Sequence, residues 1–225
     1  MDLDKIVFFG CSFTALEIST TDHEFTNHRK LIVQDLKLKS ESFAKTAKSN
    51  QHIIDDIYRV SKNANSNTIF VIQFTFLNRL GMYCELRDDE FISMCKTENP
   101  EDDTDSKLIN FYNQWLSYFY SRKNQIAEFE KQVDLICGYL NKMDIKYVCY
   151  GYDEDIDLFS KSFYKKNNFI KFDNTYSYWK YIVHNRLRIA DEDGYGEHNP
   201  DYHLSNKGHR NIAEFIIKTI KENDN

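Results

Sequence analysis

Ser12 stands two residues beyond Gly10, which ends the short apolar run Ile6-Val7-Phe8-Phe9. A glycine followed by a small hydroxyl residue at the end of a buried strand allows a tight turn. That turn presents the hydroxyl and aims backbone N–H groups at the same spot. A serine nucleophile needs a base, and the base needs a group that fixes its tautomer and stabilises its cation. Asp201 and His203 supply both roles in Asn199-Pro200-Asp201-Tyr202-His203-Leu204-Ser205. In an extended segment residues two apart face the same way, so the Asp201 carboxylate reaches one ring nitrogen of His203 and leaves the other outward. Each segment alone also has a plainer reading: Ser12 as the cap of a following turn, and Asp201 and His203 as parts of a surface turn.

These residues need elements to position them. Lys5 to Gly10, Asn67 to Phe74 and Ile145 to Tyr150 are short continuous apolar stretches, as expected of central parallel strands buried on both faces. Between the first two, Asn50 to Ala64 places Ile53, Ile54, Ile57, Tyr58 and Val60 on a helical stripe, with Ser49 or Asn50 as N-cap. Asp105 to Tyr120 and Gln125 to Met143 carry helical apolar patterns and predict either two helices or one long kinked helix. Tyr176 to Arg188 has weaker helical character. Asn206 to Glu222 sets Ile212, Ala213, Ile216, Ile217 and Ile220 on one face behind Ser205 as N-cap, an amphipathic C-terminal helix. Strands alternating with helices predict an α/β layered domain with helices on both faces of the sheet. The 225 residues suit one domain, residues 1–225, with an acidic surface excursion at 85–105. That excursion holds Arg87 and Lys96 among nine acidic residues and reads as a solvated loop or a lid over the strand ends.

Three segments resemble the conserved blocks of the SGNH (GDSL-like) hydrolases. Ile6-Val7-Phe8-Phe9-Gly10-Cys11-Ser12-Phe13-Thr14 is similar to the first block, with Cys11 where the family often has aspartate. Ala44-Lys45-Thr46-Ala47-Lys48-Ser49-Asn50-Gln51-His52-Ile53 resembles the second, and Asp201-Tyr202-His203-Leu204-Ser205-Asn206-Lys207-Gly208-His209 the last. The resemblance implies a three-layer α/β/α sandwich around a mostly parallel sheet, with Ser12 as nucleophile, His203 as base and Asp201 as its orienter. It implies acyl transfer from an ester to water or to another hydroxyl, without metal or cofactor. The oxyanion donors it implies are the backbone N–H groups of Ser12 and Ala47 and, from the third block, the side chain of Asn78, with Thr75 close by. Asn50, Thr75 and Arg79 are candidate substrate-binding residues, Arg79 for an anionic group. Two departures stand out: Ala47 replaces a usual glycine, and Gln73-Phe74-Thr75-Phe76-Leu77-Asn78 has no glycine before its asparagine.

Composition narrows the alternatives. The formal charge of −6, from 29 bases and 35 acids, argues against a nucleic-acid partner held through phosphates. No apolar run approaches the roughly 20 residues of a membrane helix. Five cysteines without a Cys-x-x-Cys pair suit reduced thiols, and the acidic N-terminus shows no signal peptide, so a cytoplasmic location is expected. Glu197, His198, Asp201, His203 and His209 make a metal-dependent hydrolase a second class, and a silent binding module on the same fold is a third. Clustered Tyr112, Trp115, Tyr118 and Tyr120, with Trp179 near Tyr176 and Tyr178, read by default as core packing, though sugar sites use such faces for stacking; with no extended apolar lid visible, a polar or carbohydrate ester suits the chain better than a long lipid. The reading is therefore a serine esterase removing a short acyl group, acetyl by preference, from such a substrate, with O-acyl transfer to a sugar hydroxyl as the near alternative.

Overall fold

The computed structural model describes residues 3–11, 14, 27–45, 48–84, 90–94, 103–188 and 204–223. Four parallel strands form the sheet in the order β2-β1-β3-β6, with β1 Lys5–Phe9, β2 Lys39–Ser42, β3 Thr68–Phe74 and β6 Lys146–Gly151. The three strands expected from their apolar runs are β1, β3 and β6; β1 and β3 are the inner pair, whereas β6, expected to be central, is the strand at the far edge from β2. All seven residues of β3 are buried, as a strand covered on both faces requires. β2 was not foreseen: it reads Lys-Ser-Glu-Ser, is exposed throughout and is held at the sheet edge by its pairing with β1.

Side chains alternate across the sheet and divide the core in two. Ile6, Phe8, Ile69, Val71, Val148 and Tyr150 face helices α1 (His28–Leu36) and α7 (Asn206–Asn223), which supply Ile32, Ile212, Ile216 and Ile220. Val7, Phe9, Phe70, Ile72, Tyr147 and Cys149 face α2 (Asn50–Ser61) and α4 (Arg122–Lys142), which supply Ile53, Ile57, Phe129, Val133, Ile136 and Leu140. The result is the expected three-layer α/β/α sandwich. Each fully buried isoleucine contributes on the order of 1.5–3 kcal/mol of hydrophobic stabilisation, so these stripes anchor both helical layers.

Local chemistry sets the helix ends. Ser49 is the N-cap of α2, its hydroxyl accepting from the His52 N–H, while Ser205 accepts from the Gly208 N–H in the first turn of α7. Gly208 is there because a β-carbon would stand 2.5 Å from the Leu187 carbonyl oxygen. The region after β3 contains two helices rather than one, α3 (Asp103–Tyr118) and α4, with Ser121 capping the second. An antiparallel hairpin of β4 (Leu80–Cys84) and β5 (Glu90–Met94) precedes them. β5 and the start of α3 fall inside the acidic stretch, whose residues 85–89 and 95–102 lie outside the described residues. Beyond β6 come the short helices α5 (Lys161–Lys166) and α6 (Tyr178–His184), the latter within the segment of weak helical character. Among the described residues no helix is long and apolar enough to cross a membrane.

Candidate active site

The chain leaves β1 for β2 on one side and returns to β3 on the other, so the strand order switches between β1 and β3. A crevice opens beyond the carboxyl ends of neighbouring strands at such a point. Gly10 and Cys11 leave β1 there, and Thr75 leaves β3 there. Ser12, Ala47, Asp201 and His203 lie outside the described residues. What is described is the frame on either side of each.

The first block is pinned by Gln73. Its side-chain oxygen accepts from the Thr14 hydroxyl at 2.5 Å and from the Cys11 N–H at 3.4 Å. The Cys11 N–H can only donate, so the atom it faces is the amide oxygen rather than the nitrogen. The Thr14 N–H donates to the Cys11 carbonyl at 2.9 Å, so the chain doubles back within three residues. Gly10 has to be glycine in this packing, because a β-carbon would meet Gln73 Oε1 at 2.8 Å and Thr14 Oγ1 at 2.9 Å. The Gly10 carbonyl accepts from the Lys45 N–H at 3.2 Å, which draws the second block up to the first.

Behind Thr14 runs a buried polar series. The Thr14 hydroxyl lies 2.9 Å from Tyr150 Oη, which lies 3.4 Å from His28 Nε2, and His28 Nδ1 is 3.0 Å from His209 Nδ1. Gln73 Oε1 can only accept, so Thr14 donates to it and in turn accepts from Tyr150. Tyr150 Oη and His28 Nε2 share one hydrogen, as do the facing Nδ1 atoms of His28 and His209, with the ring tautomers setting which atom donates. The His28 backbone N–H donates to the same His209 Nδ1 at 3.3 Å. Burial, reinforced by His209 and Arg29, holds the His28 imidazole well below its ordinary pKa, so the ring is neutral as this arrangement demands. The Tyr150 phenol is pushed far up by burial and keeps its proton.

The second and third blocks are joined by Asn50. Its side-chain oxygen accepts from the Thr75 N–H at 2.7 Å, and its amide nitrogen donates to the carbonyls of Thr75 at 3.3 Å and Phe76 at 3.4 Å. Asn50 is buried, and its amide is occupied in holding this loop. Thr75 is buried as well, and its hydroxyl has no hydrogen-bond partner among the described residues. Asn78 is exposed three residues further on, and its backbone carbonyl accepts from Tyr112 Oη at 2.7 Å. Arg79 is half-buried, donates to the Lys48 carbonyl at 3.2 Å and stacks over the Phe76 ring at 5.2 Å. Lys48 is itself buried, in an ion pair with Asp56 of α2 and donating to the Phe43 carbonyl at 2.6 Å. Its removal from water is offset by that pairing.

The last block returns through Leu204, which bridges antiparallel to Arg188. Of the acidic and histidine cluster between 197 and 209, only His209 is described, and it faces His28. Among the described residues no group of three or more metal-ligating side chains comes together. Residue types alone did not single out Gln73, Tyr150 or His28. Gln73 carried the one usable signal, a lone amide inside the otherwise apolar run from Ile69 to Phe74.

No family model matches this chain, and no curated protein matches it closely. Solved structures do resemble it. A Bacillus subtilis protein superposes with a TM-score of 0.51 at 9% identity, over 100% of this chain and 57% of that one. An acetyl xylan esterase from the rumen bacterium Butyrivibrio proteoclasticus gives 0.50 at 9% identity, over 98% of this chain and 64% of the esterase. This chain thus spans about three fifths of the length of either structure. A lipolytic protein of the G-D-S-L family from Desulfitobacterium hafniense aligns at 10% identity over 96% of this chain and 98% of its own, with a TM-score of 0.45. The shared feature is the α/β fold, the one implied by the resemblance to the SGNH hydrolases.

Proposed function

We propose that this chain is a serine esterase of the SGNH type that removes a short acyl group, acetyl in the first instance, from a polar or carbohydrate substrate. The observation that supports it is the convergence of three blocks on the switch point: Gln73 grips the Gly10–Thr14 turn, Lys45 bonds to Gly10, and Asn50 fixes Thr75. A nucleophile delivered by that turn meets a prearranged frame, which is what acyl transfer needs.

In this reading His203, oriented by Asp201, takes the Ser12 proton as Oγ attacks the ester carbonyl. The tetrahedral oxyanion is met by the N–H groups of Ser12 and Ala47 and by a third donor. When the intermediate collapses, the acyl–oxygen bond to the alcohol breaks, and the alcohol leaves with the proton held by His203. Water, deprotonated by His203, then attacks the acyl carbon and releases Ser12 with the free acid. A sugar hydroxyl in place of that water turns the same intermediate toward O-acyl transfer. For the third donor Thr75 fits better than Asn78, because Thr75 directly follows β3 and its hydroxyl is uncommitted among the described residues. The resemblance in fold to an acetyl xylan esterase supports a carbohydrate ester as the first substrate to try. The proposed location is the cytoplasm, where Cys11, Cys137 and Cys149 remain thiols.

The test is intact-mass analysis after treatment with a fluorophosphonate. A single adduct on the native chain and on Cys11→Ala, absent from Ser12→Ala, is the expected result. Folded native protein that takes up no adduct would overturn the proposal.

A further inference from the structure

Two arginines flank the catalytic end of the sheet, each laid on an aromatic ring. Arg79 stacks on Phe76, just past β3, and Arg188 lies over Trp179 at 5.7 Å. The two rings are bridged by Tyr152, just past β6, whose centroid is 4.7 Å from Phe76 and 5.4 Å from Trp179. Burial pushes the Tyr152 phenol far up, the Cys11 thiol adds to this, and the positive fields of Arg79 and Arg188 pull it back. Phe76, Tyr152 and Trp179 thus form a continuous aromatic row with a guanidinium laid on the ring at each end. Arg188 is also bridged to Leu204, the neighbour of His203.

The chemistry of Arg79 is that of a binding group. One of its five N–H donors goes to the Lys48 carbonyl, its face covers Phe76, and no carboxylate pairs with it among the described residues. Arg59 and Arg122, by contrast, are paired with Asp56 and Asp155. In a chain with net charge −6, a half-buried guanidinium with no acid partner among the described residues leaves a local positive field at this end of the sheet. A planar fork held rigid by stacking and by a backbone carbonyl suits bidentate capture of an oxyanion.

We infer that Arg79, assisted by Arg188, selects substrates carrying an oxyanion group, a carboxylate or a phosphate, beside the scissile ester. The inference rests on the esterase reading and names its substrate class: an acylated acidic sugar or similar acidic polyol. The arginines are specificity residues. The acyl chemistry stays with the residues assigned above.

The test compares acetate release from three substrates: acetylated glucuronic acid, acetylated glucose 6-phosphate and acetylated xylose. Native protein is expected to favour at least one acidic substrate over the neutral one by about tenfold or more in kcat/KM, less so as salt is raised. The ratio of acidic to neutral should fall by about tenfold in Arg79→Gln, fall further with Arg188→Gln added, and return in part in Arg79→Lys. Preference for the carboxylate or for the phosphate identifies which oxyanion is read. A native preference for the neutral ester, or a ratio that none of the substitutions changes, overturns the inference. Should folded native protein release acetate from none of the three, the esterase reading fails separately. Titration calorimetry with free glucuronate and glucose 6-phosphate then decides the anion site, by binding that Arg79→Gln abolishes or by none at all.

Discussion

Gln73 and Thr14 lie 59 residues apart in the chain, and the Thr14 hydroxyl donates to the Gln73 side-chain oxygen at 2.5 Å. This bond ties the turn after β1 to the last buried polar position of β3, across the point where the strand order switches. It couples the fold to the chemistry, because the same oxygen accepts the N–H of Cys11, next to the proposed nucleophile.

Replacing Gln73 with leucine keeps the volume and removes the acceptor. The Thr14 hydroxyl and Cys11 N–H are then left buried without it, at a cost of about 1–3 kcal/mol. The turn also loses its tether, so fluorophosphonate labelling of Ser12 should slow by about tenfold or more. Urea unfolding and labelling rate check both. Native-like stability with native-like labelling in Gln73→Leu would show that the tether does neither job.

Gly208→Ala separates packing from chemistry. The added β-carbon meets the Leu187 carbonyl at 2.5 Å and the Leu204 side chain at 2.7 Å. A backbone carbonyl cannot rotate away as a side chain does, so the start of α7 must shift, at about 1–3 kcal/mol. The better helix propensity of alanine returns at most about 1 kcal/mol. A net loss of stability in chemical denaturation is expected, and a gain would mean that α7 moves freely at this end.

Much of the frame was legible in the sequence because burial leaves a pattern. β1, β3 and β6 are covered on both faces and so appear as unbroken apolar runs, and α7 displays Ile212, Ile216 and Ile220 at helical spacing. β2 left no such trace: all four of its residues are exposed, and its place comes from backbone pairing with β1. α1 was silent for a similar reason, since its buried residues are only His28 and Ile32. In the site, Gly10 and Thr75 could be found by position, each following a predicted strand. The contact of His28 with His209 spans 181 residues between two helices, and no local spacing announces a pair of that kind.

That histidine pair gives the stability a pH dependence whose sign is fixed. His28 faces His209 from α7, Tyr150 from β6 and Thr14, with Arg29 beside it, and its pKa is lowered by burial first and then by His209 and Arg29. A lowered pKa means that, below the ordinary value of about 6.5, the unfolded chain binds a proton that the folded chain refuses. Stability is therefore fully present above that value and falls as pH drops, by up to ~1.4 kcal/mol per pH unit for one such group. Urea unfolding at pH 7.5, 6.5 and 5.5 should show this slope, reduced in His28→Gln. Equal slopes in the two proteins would rule out His28 as the group responsible.

Thr75 and Asn78 are the two candidates for the third oxyanion donor of the proposed mechanism, and their surroundings separate them. The Thr75 side chain is fully buried with its hydroxyl unpartnered among the described residues, whereas Asn78 is exposed. Thr75→Val keeps the shape and removes an unsatisfied polar group, so stability should hold or rise slightly. If the hydroxyl meets the oxyanion, kcat on an acetyl ester should fall by about 10² to 10³ while KM changes little. Asn78→Ala should alter kcat by less than about threefold on the same argument. The reverse result would move the donor to Asn78 and require the segment beyond Thr75 to close over the substrate. Loss of stability in Thr75→Val would instead give the hydroxyl a partner in the resting fold, and with it a structural role.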